Sequence, residues 1–275
     1  MINIENLHFS YSGHMVFSDI NMNLESGKIY GLLGENGVGK TTLLKIIGGF
    51  LKVKKGRCEV MNHNPFKREP SFLQEVIYIP EDFSAPDLVI EEYARLRGQF
   101  YPKYDKEKFI QLLSLFGVDS SKKFTRLSHG QQKKAIIAFS VATNTKLLLL
   151  DEPSNGLDIP SKSQLRQVIS EISTDENCII ISTHQVRDLE NLIDPIIILD
   201  REDVLLKESV ENITDKLSFI YTPVPSKTAL YNETTPGGYL AVELNTTGEE
   251  SRVNIEALFN ATLNNKETIK NIFKR

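Results

Sequence analysis

The chain has 275 residues, enough for one large domain or for a domain with an appendage. Its hydrophobic fraction of 40% and its charged fraction of 25% are ordinary for a soluble globular protein. A formal net charge of -4 gives no global electrostatic attraction to nucleic acid, so we expect no nucleic-acid partner.

The N-terminal stretch predicts strands that lead into a helix. Residues 2–24 alternate between apolar and polar, with a turn sequence at residues 11–13, which is typical of two antiparallel strands. Residues 28–33 then predict a buried strand. Residues 41–47 have the apolar spacing of a helix, and the glycine pair at 48–49 is a typical helix end.

A glycine-rich loop separates this strand from this helix. Residues 34–41 read Gly-Glu-Asn-Gly-Val-Gly-Lys-Thr, the pattern of a phosphate-binding loop. Its glycines let backbone N–H groups approach phosphate oxygens, and the N-terminus of the helix adds partial positive charge. Lys40 is predicted to reach the β- and γ-phosphates, and the Thr41 hydroxyl to bind Mg²⁺. The strand before the loop and the helix after it argue against a chance match. The residues predicted to contact the nucleotide here are Gly34, Asn36, Gly37, Gly39, Lys40, Thr41 and Thr42.

The middle of the chain predicts a helical insertion followed by a parallel sheet. Residues 86–116 have helical spacing and predict a mostly helical subdomain inserted between core strands. Residues 147–150 and 178–181 are short, continuously apolar runs, the pattern of parallel strands covered on both faces. A helix is predicted between them at residues 160–172, and another core strand at residues 196–199.

Two acidic residues follow the first of these apolar runs. The carboxyl ends of parallel strands form the edge where ligands bind, so Asp151 and Glu152 are predicted at that edge. Asp151 is suited to hold the Mg²⁺ shell, directly or through water. Glu152 is suited to polarise an attacking water as a general base. A charged turn without function is the alternative, and the phosphate loop in the same chain disfavours it.

The last part of the chain differs in composition. From about Tyr221 onwards proline, glycine, asparagine and threonine become frequent, and we predict a small C-terminal extension over residues 221–275. It is expected to end in a helix that begins at about Asn254. Its residues leave three roles open, namely covering the core, supporting a dimer and binding a partner.

A third motif gives the chain a family resemblance. Residues 127–131 read Leu-Ser-His-Gly-Gln, which resembles the signature Leu-Ser-Gly-Gly-Gln of the ATP-binding cassette (ABC) family. The chain resembles the nucleotide-binding domain of that family over roughly residues 1–220. The implied fold is an α/β P-loop NTPase of ABC type with an N-terminal antiparallel β subdomain, an inserted helical subdomain at about 82–142 and the C-terminal extension. The implied cofactors are ATP and Mg²⁺.

The resemblance also implies how many chains the reaction needs. In the family, the signature of one subunit closes over the γ-phosphate that the other subunit binds. The chain would therefore act as a head-to-tail dimer, either a homodimer or a heterodimer of nucleotide-binding subunits. In the signature the implied contacts come from Ser128, Gly130 and Gln131, with a helix starting at about Gln131.

Other positions match the family in chain order. Tyr11 matches the aromatic residue that stacks on adenine, with Val16 as a neighbour, although a simple turn aromatic is the alternative. Residues 154–158 resemble the loop through which the two subunits sense each other, and Asp158 is placed among the nucleotide-contacting residues. His184, just beyond a strand, matches the switch histidine that contacts the γ-phosphate.

Two residues depart from the family pattern. His129 replaces the first signature glycine, and it weakens the closed dimer unless its ring points away from the nucleotide. Glu81 stands where the family most often has a glutamine that contacts Mg²⁺ and the attacking water, and it is predicted as a further metal ligand. The Pro-Glu pair at 80–81 resembles the ATPases of exporters with separate membrane subunits.

These features predict the ATP-hydrolysing subunit of an ABC transporter, most consistent with an exporter, that acts on a separate membrane-spanning permease. The alternative is a soluble ABC ATPase that drives a non-transport process such as cluster assembly. A catalytically inactive scaffold is disfavoured because Lys40, Asp151, Glu152 and His184 are all present.

The sequence also carries signals of location. Cys58 and Cys178 give neither a metal framework nor a disulfide scaffold, which fits a reducing compartment. No basic segment followed by an apolar one begins the chain, so no signal peptide is expected. The longest apolar runs fall far short of the roughly 20 residues that a membrane-spanning helix needs. We expect a cytoplasmic protein, peripheral on the cytoplasmic face of the membrane.

Overall fold

The computed structural model describes residues 1–186, 190–201, 203–249 and 251–274. Its strands are β1 Ile2–Tyr11, β2 His14–Leu24, β3 Lys28–Leu33, β4 Lys55–Val60, β5 Val76–Ile79, β6 Leu147–Asp151, β7 Cys178–Thr183, β8 Ile196–Asp200, β9 Asp203–Glu208, β10 Leu217–Thr222, β11 Tyr231–Thr235 and β12 Gly238–Leu244. Its helices are α1 Lys40–Ile47, α2 Pro70–Leu73, α3 Ile90–Gly98, α4 Lys106–Leu115, α5 His129–Ala142, α6 Ile159–Ile172, α7 Val210–Lys216, α8 Ile255–Asn264 and α9 Lys266–Phe273.

The N-terminal strands form an antiparallel sheet in the order β2-β1-β4. The turn between β1 and β2 lies at Ser12 and Gly13, and both residues have positive φ. Tyr11 and His14 face each other across this turn, so the sequence prediction of two antiparallel strands is confirmed. Tyr11 therefore stands at the tip of the hairpin, at the end of β1.

The central sheet has six strands in the order β5-β6-β7-β3-β8-β9. The first five are parallel, and β9 closes the edge as an antiparallel strand. Consecutive leucines of β6 face opposite sides: Leu147 and Leu149 pack in one hydrophobic cluster, and Leu148 and Leu150 in the other. This double burial explains the continuous apolar run, because neither face of the strand meets water.

The predicted helical insertion lies between β5 and β6 in the chain. It contains α3, α4 and α5, and aromatic side chains hold these helices together. The ring of Phe139 contacts those of Tyr93, Tyr101, Tyr104 and Phe109, with centroids 5.2 to 6.2 Å apart. Such edge-on and tilted aromatic contacts stabilise a core beyond the area they bury. The insertion is therefore a packed unit, and α5 runs from it back toward the central sheet.

The C-terminal part forms its own sheet, in the order β10-β12-β11, with α8 and α9 following. The predicted boundary between residues 220 and 221 falls inside β10, whose only partner strand in the described chain is β12. Asn254 caps α8 by accepting a hydrogen bond from the Ala257 N–H, close to the predicted helix start. Two lysines of α9 form ion pairs with Asp200 and Asp203 beside the edge strand β9. The extension thus covers an edge of the central sheet.

Two further observations concern the location signals. Cys58 and Cys178 are both buried free thiols. In the described ranges, none of the helices has the length and apolar character needed to cross a bilayer.

Candidate active site at the carboxyl edge of the central sheet

The phosphate loop connects β3 to α1. Gly37 and Gly39 have φ values of 81° and 115°, in the region that favours glycine. A Cβ on Gly39 would lie 2.8 Å from the ring of Phe17, and one on Gly34 would lie 2.6 Å from Val38 Cγ1. No side chain caps the N-terminus of α1, so its first N–H groups are left for a ligand. The loop therefore fits a bound phosphate group.

Lys40 lies across the mouth of this loop. Its Nζ donates hydrogen bonds to the carbonyl oxygens of Gly34 at 2.7 Å and Glu35 at 3.1 Å, and only 7% of the residue is exposed. Burial lowers its pKa, and the negative charges of Glu152, Asp151 and Glu81 oppose that shift. The ammonium group is thus oriented by carbonyls and surrounded by carboxylates, ready to exchange these partners for phosphate oxygens.

Asp151 ends β6 with both carboxylate oxygens hydrogen-bonded. Oδ1 accepts from the Ser182 hydroxyl at 2.5 Å, and Oδ2 accepts from the Tyr78 hydroxyl at 3.0 Å. Burial raises the pKa of Tyr78 and the charge of Asp151 raises it further, so the phenol stays a donor. These two hydroxyls fix the orientation of the carboxylate. Within the residues that the structure describes, no group of three or more His, Cys, Asp or Glu side chains could hold a metal. Mg²⁺ needs only one or two protein carboxylates, because water and substrate phosphates supply its other ligands. The Asp151 carboxylate therefore suits Mg²⁺.

Glu152 is almost completely buried, and its two carboxylate oxygens differ. Oε1 accepts from the His184 N–H at 3.0 Å, lies 2.7 Å from Nδ1 of the same residue and is 3.9 Å from Lys40 Nζ. Oε2 is buried and has no hydrogen-bond partner among the described residues. A buried carboxylate oxygen without a donor is costly unless a water or ligand supplies one. This oxygen is therefore suited to accept a hydrogen bond from an attacking water.

The backbone at Glu152 is strained. Its φ of 45° lies in the left-handed region, where residues other than glycine cost of order 1 kcal/mol or more. The Glu152 N–H donates to the carbonyl and hydroxyl oxygens of Ser182, at 3.1 and 3.2 Å. Such strain persists only where the surrounding structure holds it. Here the strand β7, through Ser182, is one of the elements that hold it.

The signature residues form a helix cap. The Ser128 hydroxyl accepts from the Gln131 N–H at 3.3 Å, and the Gln131 side chain accepts from the Ser128 N–H at 3.2 Å. This capping box starts α5 at His129, two residues before the predicted start. Ser128 is exposed, and neither of these bonds reaches the phosphate loop. Among the described residues, the hydrogen bonds thus place the predicted nucleotide ligands in two groups, one around Lys40 and one at the start of α5, with no bond between them.

His129 packs on a neighbouring loop. Its ring stacks on Phe83 with centroids 5.7 Å apart and an interplanar angle of 22°. A Cβ on Gly156 would lie 3.3 Å from His129 Nδ1, so the ring also approaches this glycine. Gly130 is packed closely as well, since a Cβ there would meet the Gly156 carbonyl oxygen at 3.0 Å. The imidazole is therefore held by residues of its own chain, and the glycine at 130 is needed for the close approach.

The remaining predicted residues lie around these two groups. Tyr11 is 44% exposed, and its hydroxyl lies 3.5 Å from the hydroxyl of Thr42. Val16 is beside Gly39, with Cγ1 3.0 Å from the position of a Cβ on that glycine. Glu81 accepts a hydrogen bond of 2.7 Å from the Asn155 side chain. Asp158 caps α6 by accepting from the Ser161 N–H at 3.0 Å.

Three residues of the site were not found from the sequence. Ser182 and Tyr78, which orient Asp151, carry a weak signal, because each is the residue before the last in a strand whose carboxyl end forms the ligand-binding edge. Lys133 is completely buried and donates to the carbonyl of Glu152, yet in sequence it is one of two adjacent lysines in a helix. Adjacent lysines usually lie on a solvated face, so nothing in the pattern distinguishes this one.

The chain is similar in sequence to known proteins. A family model described as "ABC transporter" matches residues 17–155. The "ABC transporter ATP-binding protein YtrB" of Bacillus subtilis (strain 168) is 29% identical over 217 residues, covering 78% of this chain and 72% of that protein. The "Uncharacterized ABC transporter ATP-binding protein MJ1023" of Methanocaldococcus jannaschii is 31% identical over 221 residues, covering 80% and 81%. The "Bacitracin transport ATP-binding protein BcrA" of Bacillus licheniformis is 30% identical over 203 residues, covering 72% and 66%.

Solved structures are similar as well. The "Structure of ATP binding subunit of ABC transporter" matches with a TM-score of 0.71 and 24% identity, covering 78% of this chain and 91% of that one. The "Dimeric structure of a post-hydrolysis state of the ATP-binding cassette MJ0796 bound to ADP and Pi" matches with a TM-score of 0.67 and 21% identity, covering 76% and 98%. At these identities the likeness shows the fold, and it confirms the predicted fold class.

Proposed function

Because the chain belongs to the ABC transporter family, as an ATP-binding protein with ATPase activity, we propose that it powers a separate membrane-spanning permease as one half of a dimer. The observation that carries the proposal is the grouping of Lys40, Glu152 and His184 at one edge of the central sheet. The names of the relatives, which are ATP-binding proteins of transporters, support it. The protein would lie on the cytoplasmic face of the membrane, bound there through the permease.

The phosphates of ATP would bind at the N-terminus of α1. The free N–H groups of this helix and the Lys40 ammonium are the donors, and the adenine would stack on Tyr11 with Val16 beside it. Mg²⁺ would be held by the Thr41 hydroxyl and, directly or through water, by Asp151 and Glu81. When bound, the ion neutralises charge that develops on the phosphate oxygens. Because donors already engage both oxygens of Asp151, contact through water suits this carboxylate.

Glu152 would act as the general base. Its unpartnered Oε2 would accept a hydrogen bond from the attacking water and take its proton. His184, which contacts the other oxygen of the same carboxylate, keeps that carboxylate in place and would contact the γ-phosphate. The Glu152 side chain is only 5% exposed, and this burial strengthens its electrostatic interactions, whereas the His184 side chain is 36% exposed and open to a bound nucleotide.

Two chains would assemble head to tail. The exposed N-terminus of α5, with Ser128, Gly130 and Gln131, would close over the nucleotide bound by the partner, and Asp158 would lie near the dimer contact. Among the described residues, Ser128 and Gln131 bond each other and not the phosphate loop of their own chain, which supports this arrangement. The partner would be a second copy or a related nucleotide-binding subunit.

A groove between the core and the helical insertion would receive the permease. It has a volume of about 630 Å³ and is lined by Phe50, Tyr78, Arg97 and Phe100, among others. Phe50 and Phe100 are 50% and 63% exposed and both line this groove, so together they offer apolar surface to a partner. An amphipathic helix of a membrane protein fits such a groove.

We propose residues 1–220 as the ATP-binding domain, with its helical subdomain at about 82–142, and residues 221–275 as the C-terminal extension. The Pro80-Glu81 pair supports export as the direction.

The proposal is tested by purifying the tagged chain from membranes in mild detergent and identifying the proteins that accompany it. We expect a protein with several membrane-spanning segments, and ATP hydrolysis by the purified complex. A Phe50→Ala, Phe100→Ala double variant should lose this partner while it still binds ATP. Recovery of an active ATPase only from the soluble fraction, without such a partner, would instead support the non-transport alternative.

Replacing Tyr11 with alanine should weaken ATP binding by roughly 5- to 150-fold, because base–aromatic stacking contributes about 1–3 kcal/mol. Tyr11→Phe retains the ring and loses only the hydroxyl near Thr42, so its affinity should stay close to that of the wild type. The measurement is equilibrium binding of ATP and of inorganic triphosphate, which has no base. Equal losses for both ligands, or no loss for ATP, would remove Tyr11 from the adenine site.

A further inference from the structure

Lys133 in α5 is a lysine with no solvent-exposed surface. Its Nζ donates to the carbonyl oxygen of Glu152 at 2.9 Å and to that of Asn155 at 3.0 Å. These two carbonyls belong to one turn, since the Asn155 N–H also donates to the Glu152 carbonyl at 3.2 Å. A single ammonium group therefore closes the turn that follows β6.

This turn is the strained part of the site. Glu152 has the left-handed φ of 45°, and the carboxylate that contacts His184 belongs to the same residue. Left-handed backbone at a glutamate needs support from its surroundings. The Glu152 N–H donates to Ser182, and the Glu152 carbonyl oxygen accepts from Lys133. The backbone that aims the Glu152 carboxylate is thus held from outside the turn by Ser182 and Lys133, while His184 contacts the carboxylate itself.

A contribution to the stability of the fold does not by itself explain why a lysine is buried at position 133. A buried ammonium group is costly, and an apolar side chain of similar volume often replaces a buried ion at little or no loss of stability. Burial lowers the pKa of Lys133, and the charges of Glu81, Asp82, Glu152 and Asp151 oppose the shift. Lys133 therefore interacts with the carboxylates of the hydrolytic site, and packing in the apolar core does not account for it.

We propose that Lys133 is a positioning residue for hydrolysis: it holds the turn that aims the Glu152 carboxylate, and it fastens this turn to the signature helix α5. The proposal rests on the proposed role of Glu152 as the general base. In a head-to-tail dimer α5 would face the nucleotide of the partner, while Glu152 would serve the nucleotide of its own chain. Lys133 would then join the two sites of the dimer within each subunit.

The test replaces Lys133 with methionine, which has similar length and no donors. We expect kcat for ATP hydrolysis to fall about tenfold or more, because displacing a catalytic group by about 1 Å can cost 100-fold. The equilibrium affinity for ATP should stay within about twofold, since the Lys40 loop is untouched. Lys134→Met is the matched control: its ammonium bonds the Ser161 hydroxyl at 3.0 Å, away from Glu152, and its kcat should remain near that of the wild type.

Two further measurements separate positioning from a structural role. In a Glu152→Gln background, Lys133→Met should leave ATP-induced dimerisation unchanged, because the signature residues are intact; weaker dimerisation would assign Lys133 to the signature and overturn the proposal. Lys133→Gln keeps two N–H donors on a side chain that is one bond shorter, so its kcat should be higher than that of Lys133→Met. It also replaces the methionine variant in the test if that variant does not fold. Wild-type kcat in both variants would also reject the proposal. A wild-type protein that does not hydrolyse ATP would instead reject the proposed function.

Discussion

Replacing Glu152 with glutamine should lower kcat for ATP hydrolysis by about 10²- to 10⁴-fold, the range that a positioned general base contributes. Glutamine has nearly the same shape, and its amide oxygen can still accept from the His184 N–H. It cannot take a proton from water. The loss should therefore appear in kcat, with the affinity for ATP retained or increased.

The measurement is steady-state phosphate release together with equilibrium nucleotide binding. Glu171→Gln is the control, since Glu171 is an exposed residue of α6 whose carboxylate bonds Gln167. Its activity should equal that of the wild type. Hydrolysis by the Glu152→Gln protein within about tenfold of the wild-type rate would exclude Glu152 as the base.

The second large effect concerns the dimer. Lys40→Met removes the charge that would meet the phosphates, and Ser128→Asp keeps a good helix cap while it adds negative charge where the partner's γ-phosphate would lie. Each variant alone should lose at least about 100-fold in activity. Mixed in equal amounts, they should recover about a quarter of the wild-type rate. The reason is that about half of the dimers are mixed, and each mixed dimer has one intact site of two.

The control mixes the Lys40→Met chain with a chain that carries both substitutions. These mixed dimers contain no intact site, so the rate should not recover. Two different affinity tags show that mixed dimers have formed. A lack of recovery in verified Lys40→Met and Ser128→Asp mixed dimers would contradict the head-to-tail arrangement, as would full activity of either variant alone.

Some of the fold is predictable because local pattern and tertiary position agree. The continuous apolar runs of β6 and β7 are buried on both faces, and the phosphate loop joins a buried strand to a helix as its glycines require. The start of α5 was predicted two residues late, although Ser128 and Gln131 have the spacing of a capping box. The spacing of these two residues therefore marks the observed helix start.

Other features depend on contacts that sequence spacing does not contain. The strands β11 and β12 were not predicted, because the frequent glycine, asparagine and threonine of this region favour loops, whereas pairing within the sheet stabilises them as strands. The contact between His184 and Glu152 joins two residues that lie 32 positions apart in the chain, each directly after a strand of the central sheet. The burial of Lys133, with Lys134 beside it less buried, is set by where α5 meets the turn after β6.

Tyr78 links the groove beside the helical insertion to the catalytic edge of the central sheet. One side of its ring tilts against Phe50 in the groove, with centroids 5.3 Å apart, and its hydroxyl holds Asp151. A tyrosine side chain has only two rotatable bonds, so a push on one end is not absorbed along its length. Phe50 and Asp151 are therefore coupled through a single side chain, and a ligand that displaces Phe50 in the groove would act on the ring whose hydroxyl orients this carboxylate on the neighbouring strand.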